Sequence, residues 1–140
     1  AGEVVGEATT SSSRQKVSTR NLVLAADEPP AKGGTNRRPK PYDLLLAGSG
    51  ACTAMTQTLD AGRKKWPHDA GRDTLSHGKV HAQDCEDCDK DTGMIDVIEK
   101  KLELEGELSE EQRERLLAIS ARCPVHRTLL NEIKIRSELA

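Results

Sequence analysis

One stretch dominates what this chain can fold into. Between positions 42 and 65 it carries Leu44, Leu45, Leu46, Ala47, Ala51, Cys52, Ala54, Met55 and Leu59, a helix-length segment that is apolar nearly all round. Pro41 suits the first turn of such a helix, and Trp66-Pro67 stops it. It reads as a buried helix, yet little remains to bury it. Of 140 residues, 31% are charged and only 35% are hydrophobic, with no Phe, one Trp and one Tyr. The core must come from Val, Ile, Leu, Ala and Met, and a core that thin calls for a partner chain. Gly48 and Gly50 lie inside the helix, each costing about 1 kcal/mol against Ala, which points to close approach of another backbone. A second helix is expected to cross there.

Composition removes several classes of function. The net charge is −2, with 21 basic and 23 acidic residues interspersed, so no basic field attracts nucleic acid or an acidic membrane. With so few aromatics there is no platform for stacking bases. No apolar run reaches the ~18 residues of a membrane span, and the first thirty residues lack a signal-peptide pattern. The chain is expected to be a single domain over residues 1–140, located in the cytoplasm. Four cysteines are too few for a disulfide-stapled miniprotein. In a reducing compartment they point to metal chemistry, redox chemistry or packing.

The rest of the chain supplies strands and a second helical region. Val4-Val5, Val17, Thr19 and Leu22 to Leu24 predict two or three N-terminal strands, joined through the Thr9 to Ser13 patch. The Pro29 to Pro41 stretch reads as turns. Strands are expected near 72–83 and 94–105 around the polar run Asp84 to Gly93. In the second, Ile98, Leu102 and Leu104 share one parity, with Lys100 as the exception. Ser109 followed by Glu110, Glu111 and Gln112 is a capping box, so a helix starts at 110. Pro124 interrupts it, and a further turn or two reaches Leu130. Ile133, Ile135, Ser137 and Leu139 alternate with polar residues, which predicts a closing strand. The order is β-rich, α, ββ, α, β, an α+β chain.

The cysteines divide into two sets. Cys52 has small neighbours in Gly48-Ser49-Gly50-Ala51-Cys52-Thr53-Ala54, so it is either a packed small hydrophobe or a sulfur that a small substrate can reach. Cys123 precedes Pro124 and becomes the N-cap of a new helical segment. There the helix dipole, adjacent Arg122 and His126 three residues on all favour the thiolate. Packing at a helix kink is the alternative. Cys85 and Cys88, with His77 and His81 upstream, spell out a zinc-like pattern. Four residues of extended strand span roughly 13 Å, however, so both histidines cannot reach one ion. The acids at 84, 86, 87, 89 and 91 also raise the thiol pKa. A metal site on Cys85, Cys88 and His81, a CxxC disulfide and a solvated acidic turn all stay open. Asp87-x-Asp89-x-Asp91 begins like a calcium loop but has Thr92 in place of Gly and Ile98 in place of Glu. Gly33-Gly34 opens no phosphate loop, and Ser49 lacks the spacing of a hydrolase elbow. No cofactor is implied.

Pro41-Tyr42-Asp43-Leu44-Leu45-Leu46-Ala47 runs into Gly50-Ala51-Cys52-Thr53-Ala54-Met55-Thr56. Further on, Leu108-Ser109-Glu110-Glu111-Gln112 leads to Cys123-Pro124-Val125-His126-Arg127-Thr128-Leu129. Together these resemble the OsmC/Ohr family over essentially the whole chain. The Asp27-Glu28-Pro29 turn and the His81 to Cys88 segment look like the branch sometimes attached to an α/β-hydrolase. The resemblance implies an OsmC-like fold, two long central helices wrapped by antiparallel sheets in an intertwined homodimer. It implies reduction of organic hydroperoxides and hydrogen peroxide: Cys52 attacks, Cys123 resolves, and a dithiol reductant restores the pair. The helix-start argument by itself favours Cys123 as the more acidic thiol. In the active branches a Glu ten residues before the first Cys pairs with an Arg. Here that slot holds Tyr42, with the acid at Asp43, and one residue turns a helical side chain by about 100°. Tyr42, Asp43 and His126 are the supporting residues, and Arg20, Arg37 and Arg38 the candidate arginines. Two functions are carried forward: a thiol peroxidase, and a non-catalytic small-ligand or metal-binding protein that works through the acidic Cys85/Cys88 loop.

Overall fold

The computed structural model describes residues 2–10, 13–68 and 70–140. Ser11 and Ser12 of the Ser/Thr patch lie outside them. The chain divides into two compact units, Ala1–Leu45 and Leu46–Ala140.

The first unit holds three short strands, β1 (Val5–Ala8), β2 (Gln15–Thr19) and β3 (Leu22–Ala26), in an antiparallel meander ordered β1-β2-β3. Val17 pairs with Gly6 on one side and Leu24 on the other. The Pro/Gly stretch after β3 is more than turns, because it wraps the buried Asp27. That carboxylate accepts from the Ser13 hydroxyl, the Glu28 N–H (2.8 Å), the Thr35 N–H (3.2 Å) and the Thr35 hydroxyl (2.6 Å). The bonds from Ser13, Thr35 and Glu28 hold it well below the usual carboxylate range. A 3-10 turn at Pro30–Lys32 starts the return, and Gly34 completes it where a Cβ would land on the Glu28 carbonyl.

Helix α1 runs over Pro41–Lys64, close to the expected 42–65. Its N-terminus has Pro41 in the first turn, and the Asp43 carboxylate accepts from the Lys40 N–H at 3.1 Å. At the other end Lys65 takes a left-handed φ of 56°. The Lys65 N–H then bonds to Gly62 O (3.2 Å) and the Trp66 N–H to Ala61 O (2.9 Å), the pair of bonds of a Schellman cap. Lys64 bridges to Asp60 at 2.8 Å and covers the Trp66 ring.

In the second unit, β4 (Ala70–His81) and β5 (Met94–Glu105) form a long antiparallel hairpin, paired from Ala70↔Glu105 to His81↔Met94. Helix α2 (Glu110–Ser120) follows, with the expected capping box in place: Ser109 accepts from the Gln112 N–H (3.1 Å), and the Gln112 side chain accepts from the Ser109 N–H (2.9 Å). The Arg113 guanidinium ties it to the end of β5 by donating to Leu104 O at 2.7 Å and Gly106 O at 3.2 Å. Helix α3 (Pro124–Leu130) starts at the proline, as read from the sequence. A small core gathers Ala61, Leu108 and Leu116 with Trp66 and Leu104 packed against it.

Three expectations need correction. The face of α1 that is buried in this chain is not its leucine face. Ser49, Thr53, Gln57 and Asp60, spaced to fall on one side of the helix, are covered, while Met55 is 65% and Leu59 66% exposed. The approach at Gly50 comes from a strand rather than a crossing helix, since a Cβ there would meet Leu75 Cδ1 at 3.1 Å, and Gly48 has open space around it. Finally, residues 132–140 form no strand, although Ile133, Ile135 and Leu139 alternate as a strand would. A strand needs a neighbour to take its backbone hydrogen bonds, and this one has none among the described residues, leaving Ile135 87% exposed.

Candidate active site

The second unit brings the middle of α1, the middle of β5 and the start of α3 to a common point. Cys123 is the N-cap of α3 and is fully buried. Its sulfur accepts from the His126 N–H at 3.3 Å, one of the amide groups a helix start leaves unpaired. The Thr53 hydroxyl of α1 donates to the same sulfur at 3.8 Å, and the half-buried Cys52, next to Thr53 in the chain, lies close enough to act on it. From β5, the Lys100 ammonium donates to Thr53 Oγ1 at 2.9 Å and contacts His126 Nδ1 at 2.7 Å. An ammonium has no lone pair, so Nδ1 is the acceptor and the ring proton of neutral His126 sits on Nε2.

These contacts set the ionisation of the site. Burial pushes the Cys123 thiol up, but the His126 N–H, Cys52, Thr53 and the Lys100 charge together outweigh it and bring the thiol below its ordinary value. Burial, followed by the Lys100 charge, lowers His126, which favours its neutral imidazole at pH 7. On β4, the Asp73 carboxylate is buried with neither oxygen accepting a hydrogen bond among the described residues. Burial raises its pKa, against the charges of Lys100 and His68.

A cleft of about 540 Å³ opens beside this cluster. Ile98, Leu102, Leu117 and Leu129 make its apolar walls, and Asp96, Lys100 and His126 also line it. Ser49 also lines it, with a buried hydroxyl that has no partner among the described residues. Neither sulfur forms its wall; Lys100 and His126, which do, also take part in the contacts around Cys123. Such a cleft suits a mostly apolar small molecule with one polar end.

Of the residues singled out in the sequence, Cys52, Cys123 and His126 come together. Tyr42 and Asp43 belong to the first unit, where Asp43 caps its own helix. Arg20 occupies the β2–β3 turn with φ 50°, and Arg37 and Arg38 are exposed. Cys85 and Cys88 are joined in a disulfide at the tip of the long hairpin. The Asp87 carboxylate lies 3.3 Å from the Cys85 sulfur, which has no proton to donate in that state. Cys85, Asp87 and Cys88 hold ligand atoms within 4.8 Å of one another, a set fit for a thiophilic cation only after reduction frees the sulfurs. His81 is not among them, and His77 instead contacts Asp96 at 2.8 Å. Lys100 and Thr53 escaped the sequence reading as site residues. The signal for Lys100 was its place on the apolar parity of β5.

The fold and the paired thiols define a class: α+β proteins with three helices and antiparallel sheets that set one cysteine on a long helix and another at a Cys-Pro helix start. A family model described as OsmC-like protein matches residues 34–138, and the chain belongs to the OsmC-like family. Solved structures agree on the fold. An OsmC-like protein from Mycoplasma pneumoniae superposes with a TM-score of 0.73 at 20% identity, covering 93% of this chain and 87% of that one. An organic hydroperoxide resistance protein from Legionella pneumophila gives 0.68 at 18% identity, covering 92% and 88%. The organic hydroperoxide resistance protein OhrB of Bacillus subtilis gives 0.62 at 16% identity, covering 91% and 89%. No curated protein matches the chain.

Proposed function

We propose that this chain is a thiol-dependent peroxidase that reduces organic hydroperoxides and hydrogen peroxide in defence against oxidative or osmotic stress. The observation that carries the reading is a half-buried Cys52 close to a buried Cys123 whose sulfur accepts from the Thr53 hydroxyl and the His126 N–H, in a unit that also holds an apolar cleft. Membership of the OsmC-like family, and the hydroperoxide-resistance names of the Legionella and Bacillus neighbours, support the same class of chemistry.

Cys52 is the attacking sulfur because it is the more accessible of the two. Its thiolate takes the terminal oxygen of the hydroperoxide, the O–O bond breaks, and the alkoxide or hydroxide leaves with a proton from solvent. Cys123 then attacks the sulfenic sulfur of Cys52: the S–S bond forms, the S–O bond breaks, and hydroxide departs as water. A dithiol reductant exchanges with this disulfide and returns both thiols. The working form is a cytoplasmic homodimer. Support comes from the apolar face of α1 at Met55 and Leu59 and from the uncovered alternation of Ile133, Ile135 and Leu139, which need a second chain to cover them. No helix among the described residues is long and apolar enough to cross a membrane.

Stopped-flow consumption of cumene hydroperoxide and hydrogen peroxide by the reduced protein tests the reading. Wild type is expected to turn over. Cys52→Ser should fail to react, and Cys123→Ser should stop at a trappable sulfenic acid. Equal, slow consumption by wild type and Cys52→Ser would remove peroxidase activity from consideration. Sedimentation velocity tests the dimer, and a monomer at micromolar concentration would refute it.

A further inference from the structure

The inward face of β5 is apolar at Ile98, Leu102 and Leu104, and half-buried Lys100 interrupts it. Carrying a charge into such a place is costly unless partners compensate it. Two of the ammonium's three N–H groups are accounted for by Thr53 Oγ1 (2.9 Å) and His126 Nδ1 (2.7 Å), and both acceptors are neutral. Among the described residues no carboxylate lies within ion-pair distance of it, since Asp73 feels its charge but forms no bridge with it. The group left to balance the cation is the sulfur on the far side of Thr53, 3.8 Å from that hydroxyl. The three groups form a directed relay: the ammonium donates to the threonine oxygen, and the threonine hydroxyl donates to sulfur.

We propose that Lys100 is a positioning residue for the thiol pair: acting through Thr53 and His126, its ammonium holds the Cys123 sulfur as an aimed anion, ready to close the disulfide with Cys52. The disulfide-closing role rests on the peroxidase reading, whereas the charge role does not. The titratable groups acting on Cys123 are Cys52 from α1, Lys100 from β5 and His126 from α3, while Asp73 from β4 feels Lys100 and His68. Arg122, next in the chain to Cys123, is exposed. Of these groups, Lys100 is the cation placed to act on the sulfur through a bonded intermediary.

The test uses a chain whose one remaining thiol is Cys123, made by Cys52→Ser, Cys85→Ser and Cys88→Ser, and follows thiolate absorbance against pH. Lys100→Met should raise the midpoint by about one pH unit or more, a roughly tenfold loss of thiolate at a given pH below it. Lys100→Arg, which keeps the charge, should stay within about half a unit of the parent, and Thr53→Val should shift it upward by less than Lys100→Met does. Circular dichroism checks that each variant is folded, and Lys100→Gln replaces Lys100→Met should the latter fail to fold. An unmoved midpoint in a folded neutral variant, or an arginine variant that shifts as far as methionine, overturns the proposal. No peroxide enters this measurement. A wild type inert to hydroperoxides but with a Lys100-dependent midpoint therefore loses the peroxidase reading and keeps the charge role.

Discussion

The chain carries two pairs of cysteines in opposite electrical surroundings. Cys85 and Cys88 sit at the tip of the β4–β5 hairpin with Asp84, Glu86, Asp87, Asp89 and Asp91 along the same loop. Cys52 and Cys123 meet where two helices and a strand converge on one lysine. Neighbouring carboxylates disfavour a thiolate, and a neighbouring cation with amide and hydroxyl donors favours it. The first environment surrounds a formed disulfide with acids. The second holds two free thiols, one of which the proposed function makes the attacking sulfur. A Cys-x-x-Cys spacing is thus a poorer guide to reactivity than the charges folded around each sulfur.

The largest test of this contrast is in the rates. Cys52→Ser should lower peroxide turnover at least about a hundredfold, as removal of a nucleophile does. The paired change Cys85→Ser with Cys88→Ser should leave it within about twofold. Steady-state turnover with a dithiol reductant checks both, and a comparable loss in the loop variant would break the contrast. The next effect is on stability against pH. His126 has a lowered folded pKa, so the unfolded chain binds its proton first as pH falls. Its stabilising contribution is complete above about pH 6.5 and declines as pH falls from there through the lower folded value. Urea melts at intervals between pH 8 and 5 should show this decline, and His126→Gln should flatten it. The smallest effect concerns the loop. Replacing Asp84, Glu86 and Asp87 by their amides should lower the titration midpoints of reduced Cys85 and Cys88 by a few tenths of a pH unit, because exposed charges are screened. Thiolate absorbance in a Cys52→Ser, Cys123→Ser background measures it, and a rise instead of a fall would contradict the electrostatic account.

What could be read beforehand follows from how local each signal is. Pro41, the Ser109–Gln112 box and the Cys123-Pro124 step act through the nearest turn of backbone, and the structure places α1, α2 and α3 on them. The hairpin strands were legible for the same reason, through alternation and the polar loop between them. The buried side of α1 was not. Leucines all round a helix give no preference for a face, and it is the β4–β5 sheet that lies against Gly50 through Leu75 and reaches Thr53 through Lys100. Lys100 was visible as a break in parity, but its partners come from residues 53 and 126, a juxtaposition no local pattern encodes. The clasp on Asp27 was missed likewise, since Ser13 and Thr35 find it only through the fold.

Cys123 is the cap that accepts the His126 amide, and under the proposed function it is also a reacting thiol. Were that sulfur an anion, as proposed, bonding it to another atom would remove its charge and with it most of its strength as an acceptor. The opening turn of α3 must then loosen or find water in its place. Amide exchange at His126 becomes a gauge of the chemical state of a group three residues away, legible in a protein that is otherwise unchanged.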